Sequence, residues 1–252
     1  MEGRQKNIFG VSIALLVPVI LLITVPILLN KCKLDRKSSQ MVKAPPRYFP
    51  ISTTESTDEK GRKQVDTVYQ KVPNFKFQTQ NGDSLELDSL RGNVYVADFF
   101  FASCPGICPK LSNSLQRVQT AFIKDHNFKI VSFSVDPARD TVKALKAYAD
   151  LHDAIPGTWY FMRGSHEDIY ALADKGFHIT AKEDEDGGPE AFVHSEKLVL
   201  VDPKGVIRGF YSGVDSLSVN KLQADIVLVL REAEGRFSFR DQKKQTKGLF
   251  DN

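Results

Sequence analysis

The stretch Val94–Gln119, VYVADFFFASCPGICPKLSNSLQRVQ, constrains this chain more than any other. It opens as a buried strand does, with apolar and aromatic residues from Val94 to Phe101 broken only by Asp98. It passes through Ser103-Cys104-Pro105-Gly106-Ile107-Cys108-Pro109 and continues with Leu111, Leu115, Val118 and Phe122 on one helical stripe. Pro109 has a place only near the start of that helix, where its missing N–H costs nothing. Cys104 therefore falls in the turn, and Cys108 at or near the first helical turn. A thiol there feels the positive end of the helix dipole, which lowers its pKa and favours thiolate. Two such sulfurs, three residues apart at a strand-to-helix turn, mark a site.

A chain of 252 residues holds one large domain or two small ones. A net charge of +3 is too small to argue for nucleic acid. Three cysteines exclude a disulfide-stapled scaffold, and Cys32 lies just past a hydrophobic run, so the informative pair is Cys104 and Cys108. That run, Ile8–Leu29, carries no charge. About 22 residues at roughly 1.5 Å each give ~33 Å, enough to cross a bilayer core. Pro18 and Pro26 are tolerated in a membrane helix, though both kink it. A cleaved signal peptide wants a shorter apolar region and a small-x-small cleavage site. Here Asn30-Lys31-Cys32-Lys33 follows, and Lys31 before Cys32 also argues against lipid attachment. The expectation is an uncleaved N-terminal transmembrane helix over residues 1–30. Basic residues on both sides leave its orientation open by the positive-inside rule.

Residues 31–71 are polar and poor in large apolar side chains, as a tether is. Within them Tyr48-Phe49-Pro50-Ile51 and Val65–Tyr69 suggest a peripheral hairpin around Lys60-Gly61. The globular domain spans 72–231. It begins with a strand Phe75–Thr79, a turn at Asn81-Gly82 and a return strand Ser84–Leu87. After the cysteine unit, Lys129–Val135 is a strand and Asp140 caps a helix reaching about Leu151. Trp159–Met162 is the next strand, and Ser165 with Asp168 starts a helix to Asp174. Lys182–Glu190 is an acidic loop. Val193–Val201 and Val206–Tyr211 form a hairpin around Asp202-Pro203-Lys204-Gly205, and Ser216–Leu230 is a closing helix. The tail 232–252 is charged, a composition that predicts disorder. This order describes an α/β domain with a mixed central sheet flanked by helices on both faces. Its cysteine turn lies at the carboxyl end of a central strand, where open α/β sheets place their sites.

The pair Cys104 and Cys108 supports a redox disulfide, a metal pair, or coincidence. Disulfide exchange and soft-metal binding both need thiolate character and access, so the cysteines alone do not separate them. His194 does. The loop before its strand should fall at the cysteine end of the sheet, whereas His126, His152, His166 and His178 take the ordinary structural or exposed reading. Two thiolates and one imidazole suit Cu(I) and, with a change of geometry, Cu(II). Zinc usually wants a fourth ligand, and no second paired Cys/His motif exists. Asp98 is either an edge side chain or a buried carboxyl that exchanges protons with a thiol. Asp136 and Arg139 either border the site or form a local cap and ion pair. Glu183-Asp184-Glu185-Asp186 is a solvated loop, or a docking surface and gate before His194.

Phe100–Pro109, Ser134-Val135-Asp136-Pro137-Ala138-Arg139-Asp140-Thr141 and Val193-His194-Ser195, in this order and spacing, resemble the Sco/SenC family. The resemblance covers roughly Val72 to Leu230. It implies a membrane-tethered protein of thioredoxin-like fold that handles copper for cytochrome c oxidase assembly, with Cys104, Cys108 and His194 as copper ligands. It implies a domain facing the periplasm or cell exterior on a bacterial cytoplasmic membrane, with the copper-bearing oxidase subunit and a copper donor protein as partners. Two positions depart from the family pattern. Val193 stands where an acidic residue often precedes the histidine, and Ala102 where a threonine often precedes the first cysteine. Neither removes a ligand. Three functions remain in view: a metallochaperone, a thiol–disulfide oxidoreductase using Cys104 and Cys108 as its catalytic redox pair, and a copper or redox sensor. CxxxC in place of CxxC, together with His194, favours the first.

Overall fold

The computed structural model describes residues 44–57, 61, 63–179 and 195–235. The expected membrane span, the whole acidic loop and its histidine, and the tail from 236 lie outside the described residues. Among those described, no helix is long and apolar enough to cross a membrane.

Nine strands and five helices are described, with strands β1 Pro50–Thr57, β2 Lys63–Tyr69, β3 Lys76–Thr79, β4 Ser84–Glu86 and β5 Val94–Phe100. The later strands are β6 Phe128–Ser134, β7 Trp159–Arg163, β8 Lys197–Val201 and β9 Ile207–Ser212. The helices are α1 Leu87–Leu90, α2 Ile107–Ala121, α3 Val142–Leu151, α4 His166–Ala171 and α5 Ser216–Ala233, with a π turn Leu172–Gly176 continuing α4. β1 and β2 form a separate antiparallel hairpin. The other seven strands make one mixed sheet, ordered β4-β3-β7-β6-β5-β8-β9. β5, β6 and β7 are parallel, while β8 runs antiparallel to β5.

β5 is central, and every residue of it is buried. That explains the apolar run around Asp98, and it excludes the edge reading of that residue, which is 1% exposed. Successive strand side chains point to opposite faces. Phe100 packs against Tyr148 of α3 at 5.1 Å, and Phe99 against Phe177 beyond α4 at 5.6 Å. The sheet therefore carries helices on both faces, α3 on one and α4 on the other. α2 shares α3's face through Ser112 Oγ and Tyr148 Oη at 2.9 Å. α5 lies beside α2, where Arg117 Nη2 donates to Asn220 Oδ1 at 3.2 Å.

Two local expectations change. Asp140 does not cap α3. Thr141 does, its hydroxyl accepting from the Ala144 N–H at 3.2 Å, because Asp140 is turned inward to other partners. Leu87 opens a short helix instead of ending a strand, its side chain and that of Leu90 buried beneath the turn. One long-range tie was not legible at all. Arg208 of β9, 1% exposed, donates to Pro45 O and, at 2.7 Å, to Glu232 Oε2, with Asp202 Oδ2 at 3.4 Å. Arg47 pairs with Glu232 in the same cluster. Residues ahead of the hairpin, within the stretch expected to be tether, are thus held against the domain.

Candidate functional site

The three parallel strands end at one edge of the sheet, and the turns that follow them meet there. Phe101–Gly106 leaves β5 and Val135–Thr141 leaves β6. β8 begins at this edge too, since it runs antiparallel to β5 with Val199 opposite Ala97 and Val201 opposite Tyr95, and the Gly213 N–H donates to Glu196 O there at 2.7 Å. Ser195, which follows His194 in the chain, therefore stands at the cysteine end. His194 itself lies outside the described residues.

α2 begins at Ile107 with Gly106 as its cap, so Cys108 and Pro109 are its second and third residues. In this first turn a backbone N–H has no helical partner to lose, which is why Pro109, which has no N–H, is accommodated. Cys104 and Cys108 are free thiols, 6% and 3% exposed, and their side chains are hydrogen-bonded to each other. The turn is closed by the Cys104 N–H on Phe101 O at 3.2 Å. Among the described residues no group of three or more His, Cys, Asp or Glu could hold a metal ion, so the structure brings together two of the three expected ligands.

The two thiols differ in acidity. Burial pushes Cys104 upward, but the backbone N–H groups of Cys108, Gly106 and Ile107 and the Cys108 thiol outweigh it, and Cys104 ends below the ordinary thiol value. The helix-terminus expectation holds for this residue. It is reversed for Cys108, which burial drives well above the ordinary value, with neighbouring Cys104 and Asp98 adding to the rise and the Phe101 backbone opposing it. Burial costs an anion more than the single helix terminus returns.

Asp98 lies on the α2 face of β5. Its Oδ1 accepts from Ser132 Oγ, which also accepts from Trp159 Nε1 at 2.9 Å. Its Oδ2 is buried with no hydrogen-bond partner among the described residues. Burial, partly offset by the Ser132 hydroxyl, raises its pKa from 3.8 to about 7. Asp136 and Arg139 form an ion pair, and the Arg139 guanidinium lies 6.0 Å from the Phe101 ring centroid, so this pair does border the cysteine turn. His152 is buried against the Tyr148 ring at 4.6 Å, and His178 stacks on Phe49 at 3.7 Å. Ser132 and Ser134 of β6 are the hydroxyls that meet the two buried acids, Asp98 and Asp140. They are two hydroxyls at alternate positions of the buried end of β6, paired with Asp98 and Phe100 of β5.

Such a fold and site define a thioredoxin-like domain with a dithiol at the amino end of a helix. The SCO1/SenC family model matches residues 63–230, and the chain belongs to that family. A SCO1 protein homolog of Bacillus subtilis is 32% identical over 168 residues, covering 66% of this chain and 86% of that protein. A Stutzerimonas stutzeri protein named as copper-binding is 28% identical over 140 residues, covering 55% of this chain and 67% of its own. The solved structure of BsSco, described as a member of the Sco family of cytochrome c oxidase assembly proteins with a disulfide switch, superposes with a TM-score of 0.57. It is 29% identical and covers 75% of this chain and 96% of its own.

Proposed function

We propose that this chain is a copper chaperone for cytochrome c oxidase, holding copper as cargo on Cys104, Cys108 and His194 and passing it to the copper centre of the oxidase. The observation that carries the reading is the adjacency of two free thiols at the start of α2, one of them more acidic than an ordinary thiol. Soft thiolates select Cu(I), and imidazole accommodates either oxidation state. The relative named as copper-binding and the oxidase-assembly role of BsSco support it. Ser195 at the cysteine end supports His194 as the third donor. In this reading Cys104 is the first ligand, and Cys108 keeps its proton until copper arrives, because a ligating thiol must be deprotonated. Asp98, close enough to Cys108 to act on its charge, accepts that proton. An anchor at Ile8–Leu29 and a tether reaching the docked residues would hold the domain at the outer face of a bacterial cytoplasmic membrane, within reach of a copper donor and the oxidase.

The same asymmetry favours one further reading, thiol–disulfide exchange. Cys104 thiolate attacks a disulfide of the oxidase subunit or of a copper carrier, releasing one of its sulfurs as thiolate. Cys108, its proton taken by Asp98, then displaces the second sulfur, leaving a Cys104–Cys108 disulfide and a reduced target.

Cu(I) titration of the reduced protein against a competing chelator, beside Cys108→Ala and His194→Ala, separates the two. One tight equivalent, weakened roughly tenfold or more by each substitution, is the expected result. Binding that ignores His194 leaves a two-thiolate site and favours redox work. No tight copper sinks the chaperone reading.

A further inference from the structure

The loop that follows β6 carries a buried acid that the chemistry above does not use. Asp140 is 1% exposed. Its two carboxylate oxygens accept from the Ala102 N–H at 3.3 and 3.1 Å, and Oδ2 also accepts from the Ser134 hydroxyl. Ser134 Oγ in turn accepts from the Asp136 N–H at 3.2 Å. The Val135 N–H donates to Phe100 O at 2.9 Å, and Arg163 of β7 holds the loop by donating to Pro137 O at 2.8 Å. The end of β5, the cysteine turn and this loop thus form one hydrogen-bonded unit. Its point of attachment on the turn is Ala102, two residues before Cys104.

Helix capping does not account for Asp140, since Thr141 performs it. Burying a carboxylate is costly unless it is hydrogen-bonded. Here its partners are a neighbouring hydroxyl and one backbone N–H just past β5, where the strand ladder has ended and that donor needs an acceptor. The Cys104 N–H closes back onto Phe101 O, so a clamp on Ala102 also holds Cys104.

We infer that Asp140 is a positioning residue for the dithiol, fixing the Phe101–Cys104 turn so that the Cys104 sulfur stays within reach of Cys108. The inference deepens the reading of Cys104 and Cys108 as the working pair and rests on it; copper does not enter. Sulfurs held in contact have less freedom to lose on bond formation. Loosening the turn therefore lowers the equilibrium constant for disulfide formation between them. In a glutathione buffer that step removes two electrons and two protons from the two thiols. Glutathione disulfide takes them up and becomes two glutathione thiols.

The test uses the full chain in a Cys32→Ser background, so that only this pair reports. The protein is equilibrated in glutathione redox buffers, quenched by alkylation, and its disulfide fraction is read by mass. Asp140→Asn should lower the equilibrium constant roughly tenfold, about 30 mV for a two-electron couple. A merely structural acid would destabilise oxidised and reduced protein alike, lowering Tm while leaving the constant within about twofold of the parent. That result, or a rise in the constant, overturns the inference. Should Asp140→Asn not fold, Ser134→Ala decides, since it removes one of the carboxylate's bonds and keeps those to Ala102. A fall of about threefold supports the clamp, and no change overturns it. In denaturing urea parent and variant should converge; a difference that persists there would not come from the fold and overturns the inference. A chain that binds no copper would still pass or fail this experiment.

Discussion

Asp98 and Cys108 occupy the same desolvated space beneath α2, and burial raises the pKa of each. For Asp98 the consequence is measurable as stability. Its pKa is raised from 3.8 to about 7 in the folded protein, so the native state binds this proton more tightly than the unfolded chain does. Stability from this group is therefore fully present below pH ~4 and lost as pH rises toward ~7, for a total of at most about 4 kcal/mol. Asp98→Asn cannot ionise and loses that slope. Its stability relative to the parent, read by urea unfolding, should climb by a few kcal/mol between pH ~4 and pH ~8. A difference independent of pH would mean that Asp98 is ionised in the folded protein at neutral pH. The aspartate was visible in the sequence as one charge in an apolar run. Its burial was not, because a strand's place at the edge or centre of a sheet depends on partners far along the chain.

At the scale of elements, the site depends on how closely α2 approaches the turn between β9 and α5. Gly213 sits at that contact, where an added Cβ would stand 2.3 Å from Leu111 Cδ2 and 3.1 Å from Leu198 Cγ. Leu111 and Leu198 are fully buried, so neither has open space to move into. Gly213→Ala should cost about 1–3 kcal/mol of unfolding free energy by overpacking. Chemical denaturation checks it, and an unchanged midpoint would show that Leu111 has room to turn. Most elements were legible from periodicity and punctuation: the apolar β5, the α2 stripe, the Ser165 cap of α4, the Asp202–Gly205 turn between β8 and β9. What local pattern could not supply was the destination of polar side chains. Asp140 stands where a cap is expected, one residue before Thr141. Its actual partner, Ala102, lies 38 residues away.

At the scale of the whole molecule, the docking of residues 44–49 hangs on Arg208, whose guanidinium reaches Pro45 O across 163 residues of sequence. Removing one partner of a buried ionic cluster leaves the others desolvated and uncompensated. Arg208→Ala should lower stability by about 3 kcal/mol or more and raise hydrogen exchange at Tyr48, whose N–H donates to Ile207 O. Exchange at Tyr48 unchanged while stability falls would mean that this segment stays docked without the arginine.

The sequence by itself determined the strand–turn–helix unit, the placement of both thiols within it and the family to which the chain belongs, because those depend on residues a few positions apart. The tertiary structure alone decided that Cys104 is the acidic thiol and Cys108 the protonated one, that Asp98 is buried, and that Asp140 is tied to the cysteine turn. Each of those is set by desolvation or by a hydrogen bond between distant segments, and neither exists until the sheet has assembled.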